Sequence, residues 1–232
     1  MRIRVVFASQ EGGYPAEEVE KRKECLKRYV SPGVQLDFSF LDSGVGTVYK
    51  EGINQADFDQ MIDAAVQKFI EAEQQGFDAC TPFGCADLAV EQARSRIKIP
   101  LVGWGKATYH VAALMANRIA LIVYEDSAIL HNQKMAEKYH MDHLITSIFS
   151  MKIPLSQMSQ RKDELKERLI ETCKTAIAEG AELIYPHGVS MVPLHYRPEE
   201  IEKEIGVPVL NAMEIGIRMT EFIASLRRKN VY

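Results

Sequence analysis

Several things are scarce in this chain of 232 residues, and each scarcity removes a class of function. No apolar run approaches the ~18 residues needed to cross a bilayer, so no membrane partner is expected. The opening Met1-Arg-Ile-Arg-Val-Val-Phe7 carries charges where a secretory signal would be apolar, which predicts a cytoplasmic protein. A net charge of −4 gives no electrostatic reason to expect nucleic acid. The basic cluster Arg227-Arg228-Lys229 is read as the complement to the negative end of the last helix.

Metal and cofactor signals are equally thin. The four cysteines, at 25, 80, 85 and 173, lack metal-type spacing, and no histidine pair completes a zinc site. They are read as free thiols in a reducing compartment. His110, His131, His140, His143 and His195 are scattered without ligand spacing. Gly103-Trp-Gly-Lys-Ala-Thr108 lacks the first glycine of a phosphate loop and has Ala107 at its Ser/Thr place. Gly44-x-Gly46 lacks the third glycine of a dinucleotide site. No cofactor and no metal are expected.

What is present is alternation. Short apolar runs, Ile3–Ala8, Val34–Phe40, Phe77–Pro82, Leu101–Val102, Ile119–Tyr124, His143–Phe149, Glu182–Tyr185 and Val209–Leu210, read as strands buried on both faces. Between them Ala56–Gln75, Ala86–Arg96, Ala128–Tyr139, Arg161–Glu179 and Met213–Arg227 have helical apolar spacing. Strict alternation implies an α/β fold with parallel sheets and right-handed crossovers.

The chain also echoes itself. Arg2-Ile-Arg-Val-Val-Phe-Ala8 returns as Arg118-Ile-Ala-Leu-Ile-Val-Tyr124. Gly76-Phe-Asp-Ala-Cys-Thr-Pro-Phe-Gly84 returns as Gly180-Ala-Glu-Leu-Ile-Tyr-Pro-His-Gly188, and Ile99-Pro-Leu-Val102 as Val207-Pro-Val-Leu210. Three echoes in one order predict a duplicated four-stranded unit. The expected architecture is two pseudo-symmetric lobes, residues 1–103 plus 211–232 and residues 104–210, each a short parallel sheet flanked by helices. No Pro/Gly/Ser-rich linker divides them. Ligands of parallel α/β sheets bind outside the carboxyl ends of the strands, which predicts an active-site cleft between the lobes.

Cys85 is the leading catalytic candidate. It follows Gly84 at a strand end, just before a helix expected to begin near Ala86 or Asp87. A helix N-terminus lowers a thiol's pKa, and a thiolate can take a proton from carbon or attack an electrophile. Asp87 is expected to cap that helix. Backbone N–H groups at 86–87 and 189–190, with the Ser190 hydroxyl, are candidates for an anion cradle. The glycine-rich Asp42–Tyr49 is read as a loop over the cleft or a plain turn.

The stretch Cys85-Ala-Asp-Leu-Ala-Val-Glu-Gln-Ala-Arg94 through Pro100-Leu-Val-Gly103-Trp-Gly105 resembles the aspartate/glutamate/hydantoin racemase superfamily, in its hydantoin-racemase-like branch. Gly180-Ala-Glu-Leu-Ile-Tyr-Pro-His-Gly-Val-Ser-Met191 is similar to that family's second half-site. The resemblance implies two α/β lobes and two cysteines acting as paired acid and base across an acidic carbon. Here no cysteine stands in the second place, which aligns with Gly188 between His187 and Val189. Ser9 and Gln10 replace part of an Asn-rich turn, and Tyr124 replaces a small hydroxyl residue.

The site implied is catalytic Cys85 and His187, with Ser9, Gln10, Gly84, Ala86, Asp87, Tyr124, Gly188, Val189 and Ser190 around a small-molecule substrate. Three readings stay open. One is a cofactor-independent isomerase or racemase that moves a proton at an acidic carbon of a small carboxylate or cyclic amide, with His187 serving for the missing thiol. Another is a one-cysteine enzyme, a lyase such as a decarboxylase or a cis–trans isomerase whose thiol attacks a double bond, both of which the resemblance implies. The third is a binding protein without turnover. A homo-oligomer is the expected assembly.

Overall fold

A computed structural model describes residues 1–44, 47, 50–52 and 54–226. The basic cluster expected at 227–229 therefore lies outside the described residues, as do Val45, Gly46, Val48 and Tyr49 of the glycine-rich loop. The chain divides into two compact units, Met1–Val48 with Gln55–Ala107 and Met213–Tyr232, and Tyr49–Asn54 with Thr108–Ala212.

The first unit contains β1 (Arg2–Gln10), α1 (Ala16–Lys27), β2 (Gln35–Leu41), α2 (Gln55–Asp59), α3 (Ile62–Gln74), β3 (Ala79–Phe83) and α4 (Val90–Arg94). Helix α5 (Trp104–Met115) follows. The second unit contains β4 (Ile119–Val123), α6 (Ser127–Lys138), β5 (Ile145–Ser150), α7 (Lys162–Ala178), β6 (Leu183–Pro186) and α8 (Pro198–Ile205). Helix α9 (Ala212–Ser225) closes the described chain.

Both sheets are parallel, three-stranded and built in one order, β2-β1-β3 and β5-β4-β6. Each central strand pairs on both edges: Val5 lies opposite Phe38 and Thr81, and Leu121 opposite Ile148 and Tyr185. The expected fourth strand is a single bridge in each unit, Cys80 with Leu101 and Ile184 with Val209. Its hydrogen bonds repeat. Cys80 N donates to Pro100 O at 2.9 Å as Ile184 N donates to Pro208 O at 3.0 Å.

The acidic residue of the echo has a structural task. The Asp78 carboxylate accepts from Arg2 N at 2.7 Å, and the Glu182 carboxylate from Asn117 N at 3.2 Å. Each thereby ties the start of its strand to the start of the central strand, while its own N–H bonds Arg2 O or Arg118 O. Burial on both faces holds for β1, β3, β4 and β6, whereas β2 and β5 are half-buried edges.

Each unit has its own core. In the first, Val6, Leu41, Val66, Phe69, Cys80 and Leu101 pack together, with α3 laid on the sheet. In the second, Ala120, Ile122, Leu165, Leu169, Ile184 and Val209 do so under α7. Trp104 is fully buried and lies so close to Gly216 that a Cβ there would fall 2.1 Å from its Cγ, so only glycine fits.

Two expected helices are shorter than their patterns. Ala56–Gln75 breaks into α2 and α3, because Met61 N turns back to Phe58 O at 2.9 Å and its side chain drops into the core. Ala86–Arg96 shrinks to Val90–Arg94, because Asp87 (φ 51°) and Ala89 (φ 59°) adopt left-handed backbone that no helix contains.

Candidate active site

The carboxyl ends of β3 and β6 carry the two candidate catalytic groups. Both strands end in the same way: Pro82 pairs with Val6, Pro186 pairs with Ile122, and a glycine of positive φ follows, Gly84 at 111° and Gly188 at 120°. Those angles suit glycine and turn the chain sharply off the strand. A Cβ on Gly84 would meet nothing within 4 Å, and one on Gly188 only the Tyr124 ring at 3.8 Å.

Cys85 sits in the turn after Gly84, 4% exposed. The helix expected to start beside it does not: α4 begins five residues later and is one turn long. The helix-dipole argument for activating Cys85 is thus corrected, and Ala86 and Asp87 lie in the turn rather than at a helix start.

Asp87 does cap a helix, but a different one. Its two carboxylate oxygens accept from Gly105 N and Lys106 N, both at 2.7 Å, at the N-terminus of α5. Charge-assisted bonds to a helix N-terminus are among the stronger local contacts. They offset the left-handed backbone at Asp87, which costs about 1–3 kcal/mol in a non-glycine residue. A Cβ on Gly103 would stand 2.4–2.6 Å from the same carboxylate. Gly103-Trp-Gly105 is therefore a cradle for an anion, and the anion is the chain's own.

The other thiols are set apart by environment. Cys80 is fully buried at the bridge position; burial, followed by the nearby Glu73 charge, pushes its pKa far up. Burial pushes Cys173 on α7 up to about 12 and raises Cys25 on α1 as well. None of the four cysteines is in a disulfide.

In the second unit His187 follows β6, 5% exposed, its N–H on Ile122 O at 2.9 Å. Its ring lies 5.4 Å from that of Tyr185 at 55°. Val189 and Ser190 are buried and lead into a wide turn, in which Leu194 N reaches Val189 O and Tyr196 N reaches Met191 O. The Ser190 carbonyl is bonded by His195 Nδ1 at 2.5 Å, whose Nε2 is 3.3 Å from Ser159 Oγ. Tyr124 stands directly after β4, its carbonyl bonded by Ile153 N.

Ser9 and Gln10 lie inside β1, which runs two residues further than its apolar pattern and re-pairs at Gln10 with Leu41. Ser9 is buried, and its hydroxyl has no hydrogen-bond partner among the described residues. Gln10 turns its side-chain amide to Asp42 O at 3.1 Å. Glu125 belongs to the segment after β4 that the sequence marks as lining the site; what sequence reasoning missed is its contact, the buried carboxylate accepting from Gly52 N at 3.1 and 3.2 Å. A contact between residues 73 apart leaves no local signal.

Among the described residues no group of three or more His, Cys, Asp or Glu side chains is placed to hold a metal. What the strand ends offer is acid–base chemistry from a thiol, an imidazole and buried hydrogen-bond donors.

A family model described as Asp/Glu/Hydantoin racemase matches residues 42–220. A hydantoin racemase from Pseudomonas sp. (strain NS671) is 22% identical over 169 residues, covering 72% of this chain and 67% of that protein. The fold is that of two allantoin racemase structures. The one from Pseudomonas fluorescens has TM-score 0.86 at 18% identity, over all of this chain and 94% of that one. The one from Klebsiella pneumoniae has TM-score 0.85 at 17% identity, over all of this chain and 90% of that one.

Proposed function

The chain belongs to the Asp/Glu/hydantoin racemase family and is an enzyme of racemase type, and from that premise we propose that it moves a proton at the acidic ring carbon of a hydantoin-like cyclic amide. The single observation that supports this is the pair of matching strand ends, one carrying Cys85 and the other His187. The names of the relatives support a hydantoin or allantoin ring over an amino-acid substrate. Such a carbon lies beside a carbonyl, so its anion is an enolate that hydrogen-bond donors stabilise.

In this mechanism the Cys85 thiolate removes the proton from one enantiomer and the His187 imidazolium delivers one to the opposite face, leaving a thiol and a neutral imidazole; the reverse reaction starts from these and exchanges their roles. Histidine titrates near neutrality, which suits it to both tasks. Ser9, Ser190 and the backbone beside Gly84 and Gly188 bind the ring and its developing charge. Tyr124, against Gly188, borders the ring. The assembly proposed is a homo-oligomer, supported by the 87% exposure of Leu114 at the end of α5. A cytoplasmic location is supported by four cysteines outside any disulfide; no described helix is long and apolar enough to cross a membrane.

The test uses single enantiomers of allantoin and of a 5-monosubstituted hydantoin in deuterium oxide. The wild-type protein is expected to racemise them with one deuterium gained at the ring carbon. Cys85→Ser and His187→Asn should each lose racemisation by about 100-fold. Each should retain exchange without inversion for one enantiomer, and for opposite ones. Racemisation surviving in Cys85→Ser sinks the reading. Release of carbon dioxide from a substituted malonate, with no ring exchange, replaces it with the lyase.

A further inference from the structure

We propose that Asp87 is the positioning residue of the reactive thiol, clamping the Cys85 turn to the N-terminus of α5. The inference rests on the reading of Cys85 as a catalytic group.

Between the end of β3 and the start of α4 the chain takes three left-handed steps, at Gly84, Asp87 and Ala89. Only the first is a glycine. A segment of this kind holds its shape only where something outside it fixes it. The fixing group is the Asp87 carboxylate, whose two oxygens are bonded to Gly105 N and Lys106 N at 2.7 Å. Asp87 is 7% exposed and Cys85, two residues away, 4%.

The clamp also disposes of a charge. A carboxylate two residues from a thiol opposes its ionisation, and the positive end of α5 takes up that charge. The receiving end is shaped for it, since any side chain at Gly103 would occupy the carboxylate's place. The twin segment in the second unit, Gly188–Met191, has buried Met191 where Asp87 stands and no thiol to place.

Three substitutions test the proposal. Asp87→Gly removes the clamp and the backbone strain together, so the turn is free but unhindered. Asp87→Asn keeps one acceptor, and Gly103→Ala expels the carboxylate without altering it. In Asp87→Gly and Gly103→Ala, kcat for racemisation is expected to fall about 10–100-fold with KM within about threefold, as for a displaced reacting group. Asp87→Asn should lie between these and the wild type. Iodoacetamide should label Cys85 several-fold faster in Asp87→Gly, with Cys25 and Cys173 unchanged.

A merely structural role would lower the amount of folded protein and leave kcat per folded molecule and the Cys85 labelling rate where they were; that result overturns the proposal. Racemisation lost in Cys85→Ser but kept within twofold in Asp87→Gly and Gly103→Ala overturns it alone. Racemisation kept in Cys85→Ser overturns the thiol reading and this inference together.

Discussion

The two units repeat one plan down to the hydrogen bonds of their bridges, yet they spend the same positions differently. Position for position, Phe83 of the first answers to His187 of the second, Cys85 to Val189, and Asp87 to Met191. In the first unit Phe83 stacks on Phe7, ring centroids 4.5 Å apart, while in the second the ring at that place is an imidazole beside Tyr185. Thiol and imidazole are therefore not twins: His187 directly follows its strand's proline, Pro186, whereas Cys85 stands three residues past Pro82. A repeated frame supplies two strand ends, and side-chain changes along it decide which chemistry each end carries.

The comparison can be broken most sharply at the bridge. Ile184 and Cys80 occupy equivalent, fully buried positions. Ile184→Ala should cost about 2–5 kcal/mol by urea unfolding, and Cys80→Ala clearly less because fewer buried atoms are lost. Equal costs would mean that the second unit does not lean on its bridge as the first does.

A second contrast lies in alkali. Cys173 has its pKa raised from 9.0 to about 12 in the fold, and Cys80 is raised further. Above pH about 9 the unfolded chain gives up these protons while the folded one holds them, so stability should fall as pH rises from about 9 to about 12. Below pH 9 the two thiols contribute no slope. Cys173→Val should flatten part of the alkaline loss measured by urea midpoints; an unchanged slope would contradict the burial argument.

The smallest effect concerns the acidic pair. Asp78→Ala and Glu182→Ala should each cost under about 1 kcal/mol, since both carboxylates are exposed. Asp78 should cost more, its bond being 2.7 Å against 3.2 Å. Thermal midpoints of the two variants give the ranking.

Much of this plan is legible in the sequence because it rests on local pattern. Apolar β-branched runs mark β1, β4 and β6 to within two residues, and the shared acidic-x-x-x-Pro-x-Gly marks both strand ends. Helix α1 is legible as a helix around Cys25 but not in its bounds, since it buries only Val19, Arg22, Cys25 and Leu26 among charged neighbours. The turn around Cys85 escapes it for another reason. Leu88, Ala89, Val90 and Ala93 look helical, and the contact that overrides them comes from residues 18 and 19 positions away. The glycines that make that contact possible, Gly103 and Gly105, are visible as a failed phosphate loop, a motif with the right shape and the wrong anion.

The order of the chain through its two units has a consequence for how the molecule can come apart. The polypeptide passes from one unit to the other at residues 48–49, 54–55, 107–108 and 212–213. No single cut therefore liberates either half intact, and a fragment ending at Ala107 lacks the α9 residues, Gly216 among them, that enclose Trp104. Neither half is an excisable module, so heat or denaturant should melt the protein in one cooperative step.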